Sequence, residues 1–377
     1  MDFEFSTEQS LLKDSVDRFV QDEYDFEARR KIVATEDGFS RKNWAKFAEL
    51  GWLALPLPED CGGFGGSPVE TMILMEAFGR GLVAEPYVPT VILGGGLVVE
   101  AGSEAQKQAI LPALANGEMM LAFGFAEPQS RYTLSDVETK AEAADGGYVL
   151  NGHKSVVIGA PSADKIIVSA RTAGGTRDAD GISLFILDKD ADGLGRRDYR
   201  TIDALRAADV TLDNVKVGAD ALLGSAGGAL PVIEKVTDQA IAALCAEAVG
   251  AMQVLLDTTT EYTKTRKQFG VPIGKFQVLQ HRMVDMFIEL EQSRSMTYMV
   301  TLKLGEGEAE RKRSASGAKA QIGKGGKYVG SQAVQLHGGM GMTDELSVSH
   351  YYKRLMMIEM MFGNTDHHLK RFADLAS

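Results

Sequence analysis

The sequence predicts an α+β protein in three consecutive parts: an N-terminal helical domain over residues 1–120, a middle antiparallel β-domain over 121–225, and a C-terminal four-helix bundle over 226–377. Three observations carry this. Apolar residues recur at helical spacing in the first part. Short β-rich runs separated by turn residues fill the second. The third holds a proline-free stretch between Pro231 and Pro272 dominated by alanine, leucine and methionine, all good helix formers. A chain of 377 residues also exceeds the size at which a single core keeps growing, so several domains are expected.

In chain order, Ser6-Thr7-Glu8-Gln9 reads as a hydroxyl cap leading into a first helical turn, and Leu11, Leu12, Val16, Phe19 and Val20 then form one apolar face. The loop LPLPEDCGGFGGS at 55–67 interrupts, and helical stretches follow in VETMILMEAFGRGLV and SEAQKQAILPALANGE. The runs YVLNG, KSVVIG, KIIVSAR, ISLFILD and DVTLDNVKV read as strands, with DGG, NGHK, AGG and DNV as the turns between them. No GxGxxG follows a strand and opens a helix, so a Rossmann dinucleotide fold is not supported. From Asp238 to Arg266 the chain is apolar on most faces and should form the central helix of a bundle, with Glu234 and Asp238 as charges at its start. Further helices are expected in the run from Lys275 to Leu304, in AKAQIGKGGKYVGSQAVQLHG, and at the C-terminus.

A formal net charge of −12 argues against a general nucleic-acid binder, since a polyphosphate backbone would be repelled. Cys61 and Cys245 suggest neither a disulfide framework nor a metal site and fit a reducing compartment. The first residues are acidic and amphipathic, unlike a secretory signal, and no run approaches 18 uninterrupted apolar residues. A cytoplasmic protein without a membrane span is the expectation. Adjacent His367 and His368 point about 100° apart on a helix with no third ligand in view, so no metal site is assigned. Glu247, in ALCAEAVGAM, is an acidic residue inside an apolar stretch; it is either paired with an Arg or Lys of a neighbouring helix or functional.

Several dispersed strings, FSTEQSLLKDSVDRF, GWLALPLPEDCGGFGGS, GEMMLAFGFAEP, TRKQFGVPIGKFQVLQHRMVDM and VQLHGGMGM, together resemble the acyl-CoA dehydrogenase family over essentially the whole chain. The resemblance implies that family's fold, FAD as cofactor, and α,β-desaturation of an acyl-CoA thioester, with an electron-transfer flavoprotein as acceptor. It also implies an oligomer, a homo-oligomer or a pairing with a homologous larger subunit, in which Arg266, Phe269, Gln277, Gln335, Gly338 and Gly339 hold the ADP half of a neighbouring subunit's FAD. The residue types suit this. A guanidinium is a planar, permanently charged partner for pyrophosphate, and glycines let a backbone run close to a ligand. On the residues alone, Phe269 also reads as core packing and Gly338 as a helix C-cap.

The departures from the family pattern are informative. Phe362, in Met361-Phe362-Gly363-Asn364-Thr365, stands where the family usually has its glutamate base, and the other known base position falls at Ala240, with Ile241 beside it. Among the ring-contacting positions, Phe125 and Ala126 precede Glu127-Pro128, with Ala126 replacing a threonine. QSRYTLSD replaces a glycine-serine-aspartate run, and Val156 and Ile158 replace a tryptophan and a threonine. Backbone N–H groups near Phe125 and Ala126 remain available to a flavin. Glu247, seven residues and two helical turns after Ala240, is the surviving candidate base. The runs AEPQSRY and FGNTDHHL resemble the small subunit of pimeloyl-CoA dehydrogenase-type heteromeric enzymes. Three functions follow: a catalytic dehydrogenase using Glu247 or a partner's carboxylate, a non-catalytic scaffold completing a homologous partner's FAD site, or a different flavin chemistry on this fold, such as an oxidase or reductase.

Overall fold

The computed structural model describes residues 5–375. Helices α1 (Thr7–Glu23), α2 (Phe26–Ala34), α3 (Arg41–Glu49), α4 (Pro68–Gly81), α5 (Gly96–Ala101) and α6 (Glu104–Ala115) precede strands β1 (Leu121–Gly124), β2 (Lys140–Ala144), β3 (Gly147–Ile158), β4 (Lys165–Arg171), β5 (Ile182–Asp188), β6 (Leu194–Arg200), β7 (Arg206–Gly218) and β8 (Leu222–Leu223). Helix α7 (Leu230–Thr265), the short strands β9 (Lys267–Gln268) and β10 (Val271–Pro272), and helices α8 (Gln277–Lys303), α9 (Glu308–His337), α10 (Ser347–Met360) and α11 (Thr365–Asp374) complete the chain. This is the expected order of helices, strands and helices. The elements group into two compact units that do not follow chain order.

One unit comprises the chain up to Lys31, Pro68–Val83 and everything from Ile241. Its first helix starts as expected: the Ser6 hydroxyl accepts from the Gln9 amide, and the Gln9 side chain accepts from the Ser6 amide, closing a capping box. Helices α4 and α7 cross with almost no space between backbones. A Cβ built on Gly79 would lie 1.9 Å from the Glu247 carbonyl oxygen, and one on Gly250 would lie 1.9 Å from that of Glu76. Glycine at both positions is what permits the approach. Along α9, Ala315, Ala318, Ile322, Val329 and Ala333 are buried, making it the helix against which α8, α10 and α11 pack.

The other unit comprises Ile32–Ser67 and Ala84–Ala240. Its eight-stranded sheet runs β6-β7-β3-β2-β4-β5-β8, with β1 on β4. Most pairings are antiparallel, but β1 lies parallel to β4 over four residues and β2 touches β4 in parallel at Lys140–Arg171. Leu150, Val157, Ile166, Val168, Phe185, Leu187, Val210 and Val215 form its buried core. Between Tyr87 and Gly96 the chain forms a fully buried π-helix, Val88–Gly95, continuing directly into α5. Near its end a Cβ on Gly94 would meet that of Leu121 at 2.3 Å, and the Thr90 hydroxyl donates to the Leu121 carbonyl at 3.0 Å.

One expectation is corrected. Helix α7 begins at Leu230, not Asp238, so Glu234 lies in the second turn and Asp238, fully buried, in the third; neither is a helix-start charge. Helix α7 is also long and apolar enough to cross a membrane by length and composition. Most of its apolar window is buried within the protein, the character of a core helix.

Candidate functional site

The ring-side candidates Phe125, Ala126, Val156 and Ile158 are brought together by β3 and the segment after β1. The Ser155 amide donates to the Ala126 carbonyl at 2.8 Å, sewing the two segments edge to edge. Next to this, Lys154 donates to Glu127 at 2.5 Å, both side chains being almost entirely buried. Burial pushes the Lys154 ammonium down to about 8, against the pull of Glu127. The Glu127 carboxylate also accepts from the amides of Glu138 and Thr139, so it fixes the start and the end of the QSRYTLSD loop. Phe125 packs on Phe123 with ring centroids 5.3 Å apart, and Ile158 pairs with Ala207 in the sheet. Val156 is half exposed and holds a left-handed backbone, φ 52°.

The nucleotide-side candidates lie in the other unit. Arg266 follows the last residue of α7 and is exposed; among the described residues its guanidinium has no protein partner. Phe269 and Gly270 form the two-residue turn between β9 and β10, both with positive φ (55° and 79°), as type I′ hairpin turns require. Glycine suits the second position and phenylalanine is strained at the first. Phe269 is 91% exposed, which excludes the core-packing reading. Gln277 is the exposed first residue of α8, a helix without a side-chain cap. Gln335 is exposed near the end of α9, and a Cβ on Gly338 or Gly339 would meet nothing within 4 Å, so this backbone borders open space. Gly338, with φ 61°, is the C-cap of α9, as the residue-level reading expects. His337 anchors this end. Its Nδ1 donates to the Ala333 carbonyl at 2.8 Å, its ring stacks on Tyr262 at 4.3 Å, and its buried Nε2 has no hydrogen-bond partner in the described protein.

Glu247 is buried in an ion pair. Arg354 of α10 donates Nε to Oε1 at 2.5 Å and Nη2 to Oε2 at 2.7 Å, so both carboxylate oxygens face one guanidinium fork. Ala240 is buried and apolar.

Phe362 has φ 58° and sits in a loop several of whose carbonyls accept from buried donors. Lys319, fully buried, donates to the Glu359 and Gly363 carbonyls at 3.0 and 2.6 Å. His368 bonds the Phe362 carbonyl through Nε2 at 3.0 Å. The carbonyl can only accept, so Nε2 carries a proton. The α11 helix that carries His368 is capped by Asn364, whose side chain accepts from the His367 amide. Sequence reading missed Arg354, Lys319 and the donor role of His368; Arg354 and His368 lie in polar, charged helical runs that single out neither.

The acyl-CoA dehydrogenase N-terminal, middle and C-terminal domain families match residues 6–118, 122–215 and 230–375. The chain belongs to the acyl-CoA dehydrogenase family. It is 30% identical over 97% of its length to the probable acyl-CoA dehydrogenase YngJ of Bacillus subtilis (strain 168), covering 97% of that protein. Among solved structures, the FAD complex of PigA superposes with a TM-score of 0.92 at 26% identity, covering 99% of this chain and 98% of that one. The ChsE4-ChsE5 complex from Mycobacterium tuberculosis gives a TM-score of 0.90 at 25% identity, covering 99% and 98%.

FAD is the cofactor of this acyl-CoA dehydrogenase family, and members are oxidoreductases. The nucleotide-side residues fit it: an unengaged guanidinium at Arg266, an exposed aromatic ring at Phe269, and an open glycine edge with an unpartnered buried nitrogen behind it at His337. The ring side offers backbone rather than side-chain donors. The Ala126 amide makes no hydrogen bond among the described residues, while Ala126, Val156 and Ile158 carry no polar side-chain atom.

A pH dependence follows from His368. Burial, reinforced by the charges of Lys319, His367 and Arg371, pushes its imidazole down to about 2. A folded value below the unfolded one, about 6.5, means that the unfolded chain binds the extra proton between them. Stability is therefore complete above about pH 6.5 and is lost as the pH falls below it, by up to about 1.4 kcal/mol per pH unit. Urea melts between pH 7 and 4 should show this slope, and His368→Gln should flatten it; an unchanged slope in the variant would place the effect elsewhere.

Proposed function

We propose that this chain is a subunit of an FAD-dependent acyl-CoA dehydrogenase catalysing α,β-desaturation of an acyl-CoA thioester, and that it completes the FAD site of a homologous larger subunit, which supplies the proton-abstracting carboxylate. The observation that carries the reading is the state of the candidate base positions. Residue 362 is a phenylalanine, residue 240 an alanine, and Glu247 has both oxygens held by Arg354. A base must present a lone pair to the substrate's α-hydrogen, and Glu247 is 4% exposed and committed through both oxygens to a structural ion pair with Arg354. FAD, when bound, supplies the acceptor for the β-hydrogen, and an electron-transfer flavoprotein is the proposed oxidant of the reduced assembly. When FAD is bound, Arg266 would pair with its pyrophosphate, and Phe269 and the exposed Gly338–Gly339 backbone would help to hold its nucleotide half. Support for an assembly comes from the apolar side chains left exposed beside these residues: Val278, Val284, Phe287 and Ile288 on α8, with Met340 and Met342. The relation to the small subunit of pimeloyl-CoA dehydrogenase-type enzymes belongs to this proposal.

The test uses the chain co-purified with its natural partner. Arg266→Ala should lower the FAD content of the assembly, and Glu247→Gln, which still offers Arg354 an acceptor, should leave the desaturation rate per bound FAD unchanged. A loss of roughly 10²–10⁴-fold in the Glu247→Gln assembly would assign the base to this chain. Unchanged FAD content after Arg266→Ala would remove this chain from the partner's cofactor site.

A further inference from the structure

Val156 occupies a conformation that its residue type disfavours. Valine is β-branched, and a positive φ at such a residue is an outlier that persists only where the surroundings impose it. Val156 has φ 52° on a strand, and its side chain is 49% exposed, so packing of that side chain does not explain the conformation. The register shows the cause. Lys154 faces Val210 and Val157 faces Ala208, so Ser155 and Val156 together oppose the single residue Asp209 of β7. This is a β-bulge, a device that re-aims a strand locally.

Asp209 closes the bulge. Its Oδ1 accepts from the Val156 amide at 3.2 Å and from the Tyr199 hydroxyl at 3.0 Å, and its Oδ2 from Arg197 at 2.7 Å. Tyr199 and Arg197 both lie on the edge strand β6, so one carboxylate ties three strands at the bulge. Burial pushes the Asp209 carboxyl up, but its hydrogen bonds from Arg197, the Val156 amide and Tyr199 prevail and hold it below the usual carboxylate range. The titratable groups facing it are Arg197 and Tyr199, and the latter is pushed up to about 12 by its own burial and by Asp209. The neighbouring bulge residue, Ser155, carries the amide that holds Ala126.

We propose that Asp209 is a positioning residue: it holds Val156 in the left-handed bulge and, through the Ser155–Ala126 hydrogen bond, fixes the Phe125–Ala126 edge as a backbone platform for the flavin ring. The ring-facing part rests on the reading above that these segments border the flavin; the Asp209–Val156 link does not. A platform whose side chains have become apolar depends on backbone placement alone.

The test is a cycle of Asp209→Ala and Val156→Gly in the full chain assembled with its partner. Glycine adopts a positive φ without strain, so the bulge in Val156→Gly should no longer need the carboxylate. Asp209→Ala is expected to lower the melting temperature by roughly 4 °C in the natural background and by less than half of that beside Val156→Gly. Equal losses in both backgrounds would overturn the proposal. The visible absorption and circular dichroism of bound flavin, reconstituted with FAD, should shift in Asp209→Ala and recover in the double variant. Stability coupling with unchanged flavin spectra would overturn the link to the ring and leave the Arg266 test of the proposed function untouched. If Asp209→Ala does not fold, Asp209→Asn, which retains an acceptor but no charge, is put through the same cycle and read in the same way.

Discussion

Arg354→Met is expected to cost the folded chain about 3–5 kcal/mol, because it leaves Glu247 buried without its counter-charge. Glu247 and Arg354 are 4% and 7% exposed, so water cannot replace the lost guanidinium. The pair itself need not be stabilising, since burying two charges costs about as much as their attraction returns. The double variant Glu247→Leu/Arg354→Met should therefore recover most of the loss. Denaturant melts of the natural chain and the two variants settle the matter; a single-variant cost below about 1 kcal/mol would mean that the site is wetter than its burial indicates. The same contrast bears on catalysis, since an ion pair that can be exchanged for apolar residues without loss of activity has no part in proton transfer.

Gly79→Ala should have a comparable effect for a different reason. The added methyl would start 1.9 Å from the Glu247 carbonyl oxygen, and that oxygen is backbone, unable to rotate aside. Forced overpacking ordinarily costs about 1–3 kcal/mol, and a clash of two helical backbones lies at or above the upper end. A fall in melting temperature of roughly 6 °C or more is expected, and Gly250→Ala, whose methyl would meet the Glu76 carbonyl oxygen at the same distance, should match it. Gly305→Ala is the control, since a methyl there meets nothing within 4 Å. If Gly79→Ala and Gly305→Ala melt together, the helices have room to separate and the close crossing is not what fixes α4 on α7.

What the sequence made legible was mostly local. The Ser6 cap is visible because its hydroxyl and the Gln9 amide that it serves are three residues apart. The candidate residues Arg266, Phe269 and the Gln335–Gly339 run stand out in the sequence for a similar reason: each belongs to a short contiguous string. Strand β6, LGRRDYR, escaped because it is a charged edge strand with no apolar alternation to mark it. Helices α2 and α3 are short, and their apolar residues are too few to declare a face. The site contacts that decide function are the least legible. Glu247 and Arg354 are 107 residues apart in the chain, and Val156 and Asp209 are 53 apart. No periodicity brings such partners together, and valine and phenylalanine at 156 and 362 would be read as extended, whereas tertiary hydrogen bonds hold both at positive φ.

The π-helix at Val88–Gly95 bears on how this chain could have changed over time. A π-turn contains one residue more than the α-turn it replaces. Removing one residue between Tyr87 and Gly102 would let the segment close into an ordinary α-helix, but each residue beyond the deletion would then swing by roughly 100° about the axis. Gly94, which gives Leu121 its space, would turn away and a larger neighbour would take its place against β1. The segment thus works as a length gauge. Substitutions can accumulate along it, but an insertion or deletion moves the first strand of the sheet, and with it the Phe125–Ala126 edge that follows.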